Sequence, residues 1–202
     1  YGFRKAAGSP WLVALMFQGV VIIVLDRLIS VNLFQPILRE KGFGLPAYGV
    51  VMGFMSLFEA VGSARPGWMR RRFTAIRAVF VLSVAMGVVV ALIPLLGKGG
   101  TVAILLVFSL AAGLNYPIQR QVMNEAVPDP EIRATVLSLE SLVDRAATAI
   151  VAFVLEKIPD ETDGFLLGVG AACFALMFVV QFTLYRLGRN RIGGATTVTS
   201  RR

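Results

Sequence analysis

The chain has 202 residues, 56% hydrophobic and only 16% charged, with a mean hydropathy of +0.75, so its composition excludes an ordinary soluble domain and fits an integral membrane protein. Its net charge of +8 does not point to nucleic acid, because the basic residues cluster between long apolar runs and do not interleave with stacking aromatics. With no histidine, and one cysteine (Cys173) inside an apolar run, a disulfide framework, histidine haem ligation, most zinc sites and a Ser-His pair drop out, and neither metal nor cofactor is expected.

Residues 1–10 carry Arg4 and Lys5 and read as a cytoplasmic linker; the chain opens on Tyr1, not Met, and a fragment of a longer protein is expected. A first apolar run extends from Trp11 to about Leu38, and Asp26, Arg27, Asn32 and Gln35 interrupt it before Pro36. A bent or broken helix follows from that pattern. Gly42 to Pro46 forms a short turn. The second span, Pro46 to about Ala64, bears Glu59, and its Gly49 and Gly53 predict close helix contact. A basic loop, Arg65 to Arg77, leads into a third span, Phe73 to Leu96, which ends at the Gly97 to Gly100 turn.

The fourth span, Thr101 to about Met123, is apolar until Asn115, Tyr116, Pro117, Gln119 and Arg120. A loop from Asn124 to Glu131 hands over to a fifth helix, Ile132 to Glu156, which contains no Pro or Gly. Its eleven Leu, Ile, Val and Phe residues favour insertion by roughly 0.3 to 0.6 kcal/mol each, whereas Glu140, Asp144 and Arg145 oppose it by roughly 2.5 to 3.5 kcal/mol each. The charges win, so this helix must turn Glu140 and Asp144, one turn apart, toward protein or a wet cavity. An acidic loop, Pro159 to Asp163, precedes a sixth span, Gly164 to Leu187, with Gly164, Gly168 and Ala172 on one face. The polar, basic tail 188–202 is expected to be disordered beyond its first residues.

Six spans place both ends on one side. Fourteen Lys and Arg residues fall at the termini and on that side, against four (Arg39, Lys41, Lys98 and Lys157) opposite, which predicts cytoplasmic termini in an inner membrane. Spans one and four carry polar groups beside a proline, two and five carry acids, and three and six are nearly pure hydrocarbon. The expected fold is all-α and polytopic: a six-helix bundle over 11–187 made of two inverted three-helix repeats.

Three stretches resemble the C-terminal six-helix half of the major facilitator superfamily. These are Gly62 followed by Arg70 and Arg71; Asn115-Tyr116-Pro117 through Asn124-Glu125-Ala126-Val127-Pro128 into Arg133-Ala134-Thr135-Val136-Leu137-Ser138; and Gln35-Pro36. Pro66, Gly67 and Met69 stand where the family's loop motif has Asp, a basic residue and Gly, so that Asp's gating contact does not carry over. The resemblance implies a preceding six-helix half as partner. It also implies that spans one and four line a central pathway, two and five meet the other half, and three and six face the lipid bilayer.

The candidate residues divide accordingly. Asp26 and Arg27 lie roughly 22 Å along the first span, suited to substrate or proton coupling or to an ion pair with a neighbouring helix. Gln35, Asn115, Tyr116 and Gln119 can hydrogen-bond a substrate, with Pro117 freeing a carbonyl, or can bond other helices. Glu59, Arg120, Arg133, Glu140, Asp144 and Arg145 are interhelical or gating charges; Arg145 satisfies part of the acid pair, or Arg120 completes it. Arg70, Arg71 and Arg72 set topology, and Trp11 and Trp68 anchor at the interface.

The expected function is secondary transport of a small solute by alternating access, coupled to protons through a buried acid, with amphiphilic efflux as the substrate hint. No Gly-x-x-x-x-Gly-Lys-Ser/Thr motif supplies ATP chemistry. A non-transporting scaffold or receptor is the alternative. A six-span enzyme lacks a nucleophile–base pair or clustered aspartates.

Overall fold

The computed structural model describes residues 10–127, 130–155 and 162–198, and every regular element among them is helical. In chain order these are α1 (Pro10–Arg27), a π-helical segment (Leu28–Leu33), α2 (Phe34–Glu40), α3 (Leu45–Ala64), α4 (Gly67–Arg70), α5 (Ala75–Leu92), a 3₁₀ turn (Ile93–Leu95), α6 (Lys98–Ala126), α7 (Pro130–Leu155) and α8 (Thr162–Val198). Five stretches are long and apolar enough to cross a membrane: Pro10–Glu40, Leu45–Ala64, Ala75–Leu95, Lys98–Ala126 and Gly164–Arg186. The chain is thus an all-helical membrane protein. At 26 residues α7 has the length of a span, but its charges keep it out of that set.

The first run is one continuous helical path, with the expected irregularity concentrated in the π segment just before Pro36. There the Asn32 side-chain amide donates to the Arg27 carbonyl at 3.3 Å. At the end of α2 the amides of Gly42 and Phe43 donate to the carbonyls of Arg39 and Leu38. That reverse-turn cap requires a left-handed residue, and Gly42 supplies it with φ +72°. Pro46 sits in the first turn of α3, and Pro130 opens α7, where a missing N–H is harmless. Lys41 donates to the Pro94 carbonyl (3.1 Å) and Lys98 to that of Gly42 (2.8 Å), which ties the α2–α3 turn to the α5–α6 turn at one end of the bundle.

Packing runs α3 on α6, α6 on α5, α5 on α8, α8 on α1 and α1 on α7, with α1 also touching α6. The core therefore lies among α1, α5, α6 and α8, around Ile29, Met86, Phe108, Ile118 and Met177. α3 lies at the rim and buries only Val51, Met55 and Gly62.

The glycine contacts fall elsewhere than the sequence pattern suggests. Gly49 and Gly53 have nothing within 4 Å of where a side chain would start; α3 instead meets α6 through Gly62 and Gly113. A methyl on Gly113 would stand 2.9 Å from the Glu59 Cα, against backbone that cannot yield. Gly164 and Gly168 likewise meet nothing and Ala172 is exposed. On α8 the buried stripe is Leu166, Gly170, Cys173, Met177, Val180 and Leu184, whose alternating steps of four and three make one helical face against α5. Gly170 rests on Gly87 and Ala91.

Boundaries shift too. α6 begins at Lys98, so Gly99 and Gly100 are helical and the turn contracts to Leu96 and Gly97. α6 also extends to Ala126, and α8 runs from Thr162 to Val198, through most of the tail expected to be disordered. Residues 1–9 of the linker, 128–129, 156–161 (the expected end of the fifth helix, Lys157 and the first part of the acidic loop) and the terminal 199–202 lie outside the described residues.

Candidate functional site

Where α1 meets α6 and α7, the apolar interior gives way to polar groups. Glu140 on α7 is only 1% exposed, and its Oε2 accepts from Arg120 Nη1 on α6 at 2.9 Å. One residue earlier on α6, Gln119 is also buried and donates its amide to the Leu15 carbonyl of α1 at 2.9 Å. Between them stands Gly19, one turn after Leu15: a Cβ there would collide with Glu140 Oε1 and lie 2.8 Å from Gln119 Nε2. α1 thus supplies a gap at the level where α6 and α7 present charge. Asp144, one turn along α7, is buried on the same face, and its Oδ1 accepts from Thr148 at 3.5 Å.

The pair is not fully saturated. Glu140 Oε1, Gln119 Oε1 and both amide atoms of Gln18, the neighbour of Gly19, are buried without a partner among the described residues. Each such group is expensive to leave unsatisfied, about 1 to 3 kcal/mol, so the seam retains capacity to bind a proton, water or a polar solute group. Arg120 is not enclosed: its side chain is 29% exposed and its guanidinium lies over the exposed Tyr116 ring, 5.4 Å from the centroid. One buried acid thereby connects through a cation to the open side of the bundle.

Arg120, not Arg145, completes the acid network. Arg145 is exposed and shares a cavity of about 260 Å³ with Arg27, which makes no ion pair with a carboxylate among the described residues. Asp26 is half-buried two turns beyond Gly19 and accepts from Ser30 at 3.2 Å; Glu59 on α3 and Arg27 are the charged groups near it. Glu59 itself is exposed, as is Gln35. Arg133 Nε donates to the Val127 carbonyl at 2.9 Å, binding the start of α7 to the end of α6.

Asn115 faces away from the seam. Fully buried, it donates to Ser83 Oγ on α5 at 3.0 Å, and Ser83 in turn donates to the Val79 carbonyl. Pro117 does free the Gly113 carbonyl four residues back, but the Ser63 hydroxyl of α3 donates to it at 3.1 Å, so that carbonyl serves helix packing.

Sequence reading overlooked Gln18, Gly19, Ser63 and Thr148. Gln18-Gly19 breaks an otherwise apolar run from Trp11 to Leu25, and that single interruption was the available signal. Comparison with protein-family models, with curated proteins and with solved structures finds no match for this chain.

Proposed function

We propose that this chain is the C-terminal six-helix half of a secondary active transporter of the major facilitator type. It would sit in the inner membrane with both termini cytoplasmic, moving a small amphiphilic solute by alternating access coupled to protons. The observation that carries this reading is the Glu140–Arg120 pair, held with Gln119 against Gly19 where three helices converge. Ionisable groups buried in a membrane bundle are costly and are found where solutes or protons move. Asp26, near the irregular π segment and Glu59, is the proposed coupling acid.

The packing order supports an inverted repeat. Exchanging α1 with α6, α3 with α7 and α5 with α8 converts α3–α6 into α7–α1 and α5–α6 into α8–α1, while α5–α8 and α1–α6 map onto themselves. α3 and α7 then occupy equivalent rim positions. Both present apolar residues outward, Val50, Phe54 and Leu57 on one and Leu142, Ile150 and Phe153 on the other, which another six-helix half would cover.

Full-length protein in proteoliposomes should move amphiphilic dyes when a pH gradient is imposed, and Asp26→Asn should weaken the dependence on that gradient. Undiminished coupling in the variant removes Asp26 from the proton role. Absence of flux for dyes of either charge overturns the transporter reading.

A further inference from the structure

The sidedness count leaves two of the chain's twenty lysines and arginines at depth, Arg27 and Arg145. They lie far apart in sequence, yet the fold brings both to one cavity beside the α1–α7 contact. Arg27 ends α1, seventeen residues or about 25 Å from Pro10, and Arg145 lies fifteen residues or about 22 Å from Pro130. The remaining wall includes Asn32 and Thr148, with Ala149 and Ala152 leaving open room between the cations.

Two guanidiniums sharing a cavity repel each other, and isolated cations at bilayer depth are costly. Nearby acids do not neutralise them directly. The Asp26 Oδ1 accepts from Ser30, that of Asp144 accepts from Thr148, and no carboxylate among the described residues lies within 4 Å of either arginine. Guanidinium offers forked donors that match an oxyanion, so a carboxylate or phosphate between the pair would relieve the repulsion and receive several charge-assisted bonds. About 260 Å³ is small for a ligand site and suits an anionic group with a modest organic body.

We propose that Arg27 and Arg145 form an oxyanion-binding site, and that the solute of the transporter proposed above carries a carboxylate or phosphate. The site thus rests on that reading for its role but not for its existence. Free organic anions and anionic lipid headgroups share this chemistry.

The test places a reporter thiol in the cavity, Ala152→Cys, in full-length protein carrying Cys173→Ala and held in phosphatidylcholine nanodiscs. Its reaction with an anionic sulfonatoethyl methanethiosulfonate is compared with that of the cationic trimethylammonioethyl reagent, both relative to a free thiol in solution. The site predicts a preference for the anionic reagent of about tenfold. Arg27→Gln or Arg145→Gln should reduce it severalfold, and Arg145→Lys should retain most of it. Benzoate or inorganic phosphate should slow labelling; protection only when phosphatidylglycerol enters the disc assigns the site to a lipid headgroup. A free-thiol reactivity ratio without protection by any anion, in protein that elutes as a single species, overturns the site. Dye flux in proteoliposomes made from the same purified protein separates the two readings. Flux without anion preference leaves the transporter and removes the site; anion preference without flux does the reverse.

Discussion

Glu140 and Arg145 stand five residues apart on α7 and meet opposite surroundings. Glu140 is enclosed by α1 and α6, with Arg120 at 2.9 Å and the gap at Gly19 shaped to admit it. Arg145 is exposed to a cavity that it shares with another cation. About 1.4 turns of helix separate a charge whose partner is built into the fold from one whose partner the described fold does not provide. The first arrangement joins three helices while keeping buried acceptors for a proton, water or solute group; the second is open to an external anion.

Breaking the enclosed side should have the largest effect. Arg120→Leu leaves the Glu140 carboxylate buried without its cation and is expected to destabilise by about 3 kcal/mol, toward the lower end for buried pairs because Arg120 is partly exposed. Equilibrium unfolding in mixed micelles measures this, and Arg120→Leu combined with Glu140→Leu should recover much of the loss. A double variant as unstable as the single one would mean that the pair is not an isolated unit.

Next in size is the helix contact that fixes the seam's position on α6. Gly113→Ala drives a methyl into the α3 backbone and should cost about 1 to 3 kcal/mol, whereas Gly49→Ala on the same α3, which meets no described residue, should cost less. Equal losses from both would show that the exposed face of α3 is covered in the assembled protein. Ser63→Ala should cost about 1 kcal/mol or less, because it strips the donor from the Gly113 carbonyl that Pro117 leaves free.

The smallest stability change belongs to the open side. Arg145→Gln should shift unfolding by no more than about 0.5 kcal/mol, since no described carboxylate loses a partner. A loss as large as that from Arg120→Leu would place Arg145 in a structural ion pair and erase the contrast between the two regions.

Much of the fold is legible in the amino-acid sequence. Runs of apolar residues fixed the helical class, and Pro46 and Ala64 bound the second span to within a residue because proline and the basic loop terminate it so sharply. The fifth helix is helical throughout its described residues, Pro130–Leu155. The shelter required by Glu140 was also predictable, since a carboxylate in hydrocarbon must find a cation or water. Which cation it found was not. Arg145 was nearer in sequence, but five residues on α7 turn it well away from Glu140, while Arg120 reaches across from another helix.

Glycine spacing misled for a related reason. A small-xxx-small pattern shows where close approach is possible, while the partner helix decides which glycine is used, so Gly62 and Gly113 meet while Gly49 and Gly53 meet nothing. Composition and periodicity by themselves determined that this is a bundle of membrane helices with acids that need cover, because burial and helix length are local properties of the chain. Only the tertiary arrangement decided that Gln119, Arg120, Glu140 and Gly19 share one seam and that Arg27 and Arg145 share one cavity. Those meetings depend on crossing points between helices far apart in sequence, and nothing in a single helix's pattern fixes where it crosses its neighbour.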